Sequence, residues 1–151
     1  MFLQLSYGTI ISLLNFGIHA IVTAIIIVAT RHTARVTSES HMFVRITSLM
    51  FVTMVALMTA HVIEIVVWAI HYAWIGLTVK NISPFEFAFE NYTALGYGDA
   101  TPPEGWRLTG PITALNGLLL IGWSVAVIFE VMRMAEVKFE HLPLKAKKSR
   151  K

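Results

Sequence analysis

The sequence predicts an all-α membrane protein: three membrane-spanning helices, with a short re-entrant helix and a glycine-punctuated loop between the second and third. Three observations carry this. The 151 residues are 56% hydrophobic and only 14% charged, too apolar for an ordinary soluble domain of that size. Three apolar stretches, about Thr9 to Thr30, Ile46 to Ile75 and Leu108 to Met134, are each long enough to cross roughly 30 Å of hydrocarbon at about 1.5 Å per residue. Between the last two lies a shorter amphipathic piece, Pro84 to Thr93, too short to span.

The first stretch reads as a retained helix, since Met1 to Gly8 carries no positive side chain and no small-residue cleavage site follows. The second exceeds the bilayer and predicts a tilt or a projection beyond it. The short helix has a marked start. Ser83 is placed to cap its free amides, Pro84 suits the first helical position, and Glu86 completes a capping box. Its end is set by Gly96 and Gly98, and Thr101-Pro102-Pro103-Glu104-Gly105 forms a stiff turn before the third span.

Charge sets the expected orientation. Arg31, Arg35 and Arg45 flank the first loop, and Lys145, Lys147, Lys148, Arg150 and Lys151 follow the third span, whereas only Lys80 and Arg107 lie between spans two and three. The positive-inside rule then places the N-terminus outside and the C-terminus in the cytoplasm, in a plasma or bacterial inner membrane. The net charge of +3 comes largely from the basic tail, which suits an anionic lipid surface rather than nucleic acid. The absence of cysteine excludes disulfides, thiolate metal sites and a cysteine nucleophile, and no regularly spaced arginines mark a voltage sensor. No nucleophile elbow or phosphate-binding loop is present, so an enzyme is not expected.

The loop carries the chemistry. A cation sheds its water in a pore only where oxygens replace it at similar energy, and backbone carbonyls aimed at one axis do so. Glycine at alternate positions permits that geometry, as Gly96 and Gly98 do around Tyr97. A chance Gly-Tyr-Gly-Asp in a chain of this length has a probability on the order of one in a thousand. The segment Tyr92-Thr93-Ala94-Leu95-Gly96-Tyr97-Gly98-Asp99 resembles the signature of potassium channels with two transmembrane helices and one pore loop per unit. The likeness extends through Gly105-Trp106-Arg107-Leu108-Thr109 and the glycine-containing third span.

That resemblance implies a selectivity filter over Thr93, Ala94, Leu95, Gly96, Tyr97, Gly98 and Asp99, with carbonyls of Ala94, Leu95, Gly96 and Tyr97 lining it and potassium ions, but no cofactor, within it. It implies support behind the filter from a Glu90–Asp99 carboxyl pair sharing a proton. The family usually has threonine where this chain has Ala94, so the innermost ion site keeps carbonyls and loses hydroxyls. Ala94→Thr is then expected to strengthen occupancy there. One pore segment per chain implies a homotetramer. The chain divides into an N-terminal helix and basic loop (1–42), a pore domain (43–137) and a basic tail (138–151).

Other residues leave alternatives open. Gly117 or Gly122 is a gating hinge by resemblance, or a place where helices pack closely. Glu130 either rings the inner mouth or pairs with Arg133 on its own helix. His61 and Glu64 share a face of span two, and Asn15 and His19 a face of span one, all at mid-depth. They form a hydrogen-bonded polar cluster, a pH-sensitive element or, at His19, His61 and Glu64, a metal site. His71, with Trp68, Tyr72 and Trp74, is expected in an interfacial aromatic belt. The function expected is passive potassium conduction. The alternatives are a weakly selective cation channel, a membrane metal-binding or redox protein, and a non-conducting structural subunit.

Overall fold

The computed structural model of the chain describes residues 2–36, 42–76, 82–96, 101–102 and 104–136. Among these, four helices account for the architecture: α1 (Phe2–Val36), α2 (Met42–Trp74), α3 (Pro84–Tyr92) and α4 (Thr109–Glu136). Three of them are long and apolar enough to cross a membrane, over Phe2–Thr33, Phe43–Trp74 and Thr109–Ala135. The chain is an all-α membrane protein. At about 1.5 Å per residue, the 33 residues of α2 run roughly 50 Å, well beyond the hydrocarbon thickness. The first span begins seven residues before the predicted Thr9, because nothing in Phe2 to Gly8 breaks a helix.

The buried faces of the three long helices are rich in polar residues. On α1 they are Asn15, His19, Thr23, Ile26 and Thr30; on α2 Thr53, Leu57, Ala60, Glu64 and Trp68; on α4 Thr109, Thr113, Asn116, Leu120, Ser124, Val127 and Val131. Each set recurs every three or four residues, so it forms one stripe per helix. The outward faces are apolar, with Ile10, Ile21, Phe51, Val55, Leu115 and Phe129 exposed. A soluble bundle does the reverse. In hydrocarbon a polar side chain has no partner except another helix, so polar residues turn inward and lipid takes the apolar face.

Two apolar clusters bracket the polar layer. Toward one end, Ile65, Trp68 and Tyr72 of α2 and Leu120 of α4 enclose Phe87, Ala88 and Tyr92 of α3. Toward the other, Ile26, Leu57, Val127 and Val131 join α1, α2 and α4 without α3. The short helix is thus a wedge in one half of the bundle. Trp68 and Tyr72 do not belong to an aromatic belt: both are fully buried, Trp68 donating to Asn116 Oδ1 at 2.9 Å and Tyr72 lying 2.8 Å from Thr113 Oγ1. Trp74 is 63% exposed and meets Tyr7 and Trp106, as a boundary residue should.

Candidate functional site

The short helix starts as its residues dictate. Ser83 Oγ accepts from the Glu86 amide at 3.2 Å while the Glu86 carboxylate accepts from the Ser83 amide at 2.7 Å, and Pro84 begins the helix. The bond to the Ser83 amide holds the Glu86 carboxyl below the ordinary carboxylate range. Phe87, Ala88, Asn91 and Tyr92 then form a buried face between α2 and α4.

The helix ends in a motif that glycine alone did not forecast. The Leu95 amide donates to the Glu90 carbonyl and the Ala94 amide to the Asn91 carbonyl, both at 2.9 Å, around Ala94 at φ +55°. This is a Schellman cap, whose left-handed position usually holds glycine. Gly96 follows at φ +110°, so left-handed backbone recurs at alternate positions 94 and 96 with Leu95 between. Thr93, Ala94, Leu95 and Gly96 are all exposed in the single chain, Leu95 by 79%. Tyr97, Gly98 and Asp99 lie outside the described residues, as does the basic tail; Glu90 is half-buried on α3.

Tyr92 joins this segment to the interior. Its backbone is pressed against Gly117 of α4, where an added Cβ would stand 2.0 Å from the Tyr92 carbonyl oxygen. Gly122 faces open space, with nothing within 4 Å of such a Cβ. On its other side Tyr92 donates its hydroxyl hydrogen to Glu64 Oε2 and lies 2.8 Å from His61 Nδ1.

Glu64 is the centre of a closed ring. His19 Nδ1 is 2.9 Å from Oε1, and His61 Nδ1 is 3.1 Å from Oε2. The far nitrogens of both imidazoles meet Ser124 Oγ, at 2.9 Å from His61 and 3.3 Å from His19. His19 and Glu64 are wholly buried, whereas the His61 side chain keeps 14% exposure. One turn away, Asn15 donates to Asn116 Oδ1 at 3.0 Å and to the Glu64 carbonyl at 3.3 Å. All four helices therefore meet at one polar layer. The ligand atoms of His19, His61 and Glu64 lie within 4.8 Å of one another, but every imidazole nitrogen already faces a hydrogen-bond partner.

His19, His61 and Glu64 were visible in the sequence, but Tyr92, Ser124 and Asn116 were not. The spacing of Thr109, Thr113, Asn116 and Ser124 along one face of an apolar span was the available signal. Near the far end of α4, Glu130 makes a two-pronged pair with Arg133, at 2.8 and 2.9 Å. Arg133 is exposed and Glu130 only half-buried, and pairs so open to solvent contribute little to stability.

Residues 58–134, from the middle of α2 to the end of α4, match the model of a family described as ion channel. No curated protein and no solved structure matches the chain.

Proposed function

The chain belongs to the ion channel family, and from that premise we propose that it is a subunit of a homotetrameric potassium channel. The observation that carries the reading is the 93–96 segment. It leaves a capped short helix, has left-handed backbone at Ala94 and Gly96, and lies exposed within the matched region. Four such segments around an axis turn the carbonyls of Ala94, Leu95, Gly96 and Tyr97 toward a dehydrated cation, and the flow is passive, without covalent chemistry. Glu90 and Asp99 brace this filter from behind, and four Glu130 carboxylates draw cations to the inner mouth. The N-terminus lies outside and the basic tail rests on anionic cytoplasmic lipid.

Ala94 supports a second reading, a cation channel of weaker selectivity, because the innermost site lacks threonine hydroxyls. Reconstitution into liposomes separates the two. Potassium efflux with a reversal potential following potassium in mixed potassium and sodium is expected, and Gly96→Ser is expected to abolish selectivity or conduction. Equal permeability to both ions favours the second reading. No flux in four-fold assemblies overturns both.

A further inference from the structure

We propose that His19, Glu64, His61 and Ser124 form a binding site for a single exchangeable proton, read out by Tyr92 and thereby coupled to conduction. The coupling to conduction rests on the channel reading; the proton site does not.

The argument is a count of hydrogens. An ionised Glu64 accepts only, so its full set of donors is the Tyr92 hydrogen at Oε2 and a hydrogen on each of the Nδ1 atoms of His19 and His61. Both Nε2 atoms then meet Ser124 Oγ, which has one hydrogen to give. With two neutral imidazoles one hydrogen is missing from the circuit: either one Nε2 lone pair faces oxygen lone pairs at Ser124, or His61 Nδ1 takes the Tyr92 hydrogen and Glu64 Oε2 is left without a donor. One further proton removes the conflict. A doubly protonated imidazole donates to Ser124, and Ser124 donates to the other imidazole. The ring is then fully bonded and carries no net charge, as an intramembrane site favours. Passing a proton from His19 to Glu64 leaves the count unchanged, so the proton belongs to the ring. Among the described residues, the titratable groups facing it are His19 from α1, His61 and Glu64 from α2 and Tyr92 from α3; α4 supplies only the Ser124 hydroxyl.

Tyr92 registers the loss of this proton because its hydroxyl is within bonding distance of two acceptors, Glu64 Oε2 and His61 Nδ1. When the proton on His61 Nδ1 leaves to water, that nitrogen regains its lone pair and accepts the Tyr92 hydrogen. His61 Nε2–H still donates to Ser124, and Ser124 to His19. Glu64 Oε2 loses both donors and carries net negative charge in the membrane interior. Tyr92 immediately precedes Thr93 and abuts Gly117, so its change of partner acts at the base of the proposed filter. His61, with its 14% exposure, is the route by which the proton exchanges.

The test uses the full chain in lipid bilayers with nitrogen-15-labelled histidine, the signals assigned by His19→Gln and His61→Gln. At neutral pH one imidazole equivalent of the pair is expected to carry hydrogen on both nitrogens, and Glu64→Gln is expected to abolish it. Two neutral imidazoles at neutral pH overturn the proposal, as does a stoichiometric metal ion on their nitrogens. In liposomes, potassium efflux is expected to fall roughly tenfold as the ring proton is lost on alkalinisation, within the usual range for coupled sites. Tyr92→Phe is expected to reduce that dependence to about twofold or less, well below ordinary coupling. Flux that ignores pH while the imidazole titrates overturns the coupling and leaves the channel reading intact. A doubly protonated imidazole in a protein that conducts nothing supports the proton site and overturns the channel reading.

Discussion

The ring around Glu64 and the segment after Tyr92 are neighbours, and they are completed in opposite ways. Glu64 receives its partners from α1, α2 and α3, and Ser124 closes the circuit from α4, all within one chain. Among the described residues, the 93–96 segment bonds back only to its own helix and leaves Leu95 open. A buried carboxylate in hydrocarbon requires its donors before any neighbour arrives, because an unpaired one is too costly to hold. On the proposed channel reading, a loop whose carbonyls serve a shared axis must keep them free. The chain thus completes its polar interior by itself and leaves an exposed edge after Tyr92, the edge that the proposed tetramer would close.

Removing Glu64 is the strongest way to break this contrast. Glu64→Ala strips three donors of their acceptor and is expected to cost about 3–5 kcal/mol, seen as a lowered unfolding midpoint in detergent. Gly117 and Gly122 come next, as a matched pair. Gly117→Ala drives a methyl into the Tyr92 carbonyl and is expected to cost about 1–3 kcal/mol through displacement of α4 from α3. Gly122→Ala meets nothing and is expected to gain up to about 1 kcal/mol of helix stability. Equal effects in thermal unfolding would mean that the close approach at Gly117 is not a constraint.

On the exposed edge, Ala94→Thr now has two opposed consequences. The hydroxyl adds an oxygen to the proposed inner ion site, but a β-branched residue at φ +55° is strained by roughly 1–2 kcal/mol. Reduced thermal stability alongside tighter potassium binding by calorimetry is expected. The smallest effect lies at the start of α3. Ser83→Ala is expected to cost about 1 kcal/mol. Since the folded state lowers the Glu86 carboxyl below its unfolded value, the stabilisation from that side of the box is present above the ordinary carboxylate range. It disappears as pH falls through the lowered value. A pH titration of unfolding in which wild type and Glu86→Gln converge at low pH checks the sign.

What the sequence disclosed follows from the range of each interaction. Spans depend on local apolarity and the capping box on a three-residue spacing, so α1, α2, α4 and the Ser83–Glu86 box were all legible. Partnerships across helices were not. Asn15, His19, His61 and Glu64 announced that polar groups lay at mid-depth, but whether α3 or α4 answered them depended on packing. Tyr92 is hidden by the motif it opens, whose first letter it is, and nothing local marks it as a partner of the interior Glu64. Trp68 and Tyr72 resembled belt residues because composition does not tell a side chain facing lipid from one facing Asn116 or Thr113. Ala94 gave no hint of a left-handed cap, a position where glycine is the usual signal.

The helix that lies before the family-matched region has a consequence for what counts as the smallest autonomous piece of this protein. The match begins at residue 58, yet Asn15 and His19 supply bonds that Asn116, Glu64 and Ser124 would otherwise lack. Gln4 reaches further still, donating to the Gly105 carbonyl and accepting from the Leu108 amide at 3.0 Å, so it fastens the turn that launches α4. A truncation guided by the recognised region would cut through a shared polar interior and leave Glu64 Oε1 without its His19 partner. The matched region and the packed unit do not coincide, and any displacement of α4 has to carry α1 along or break the bonds between them.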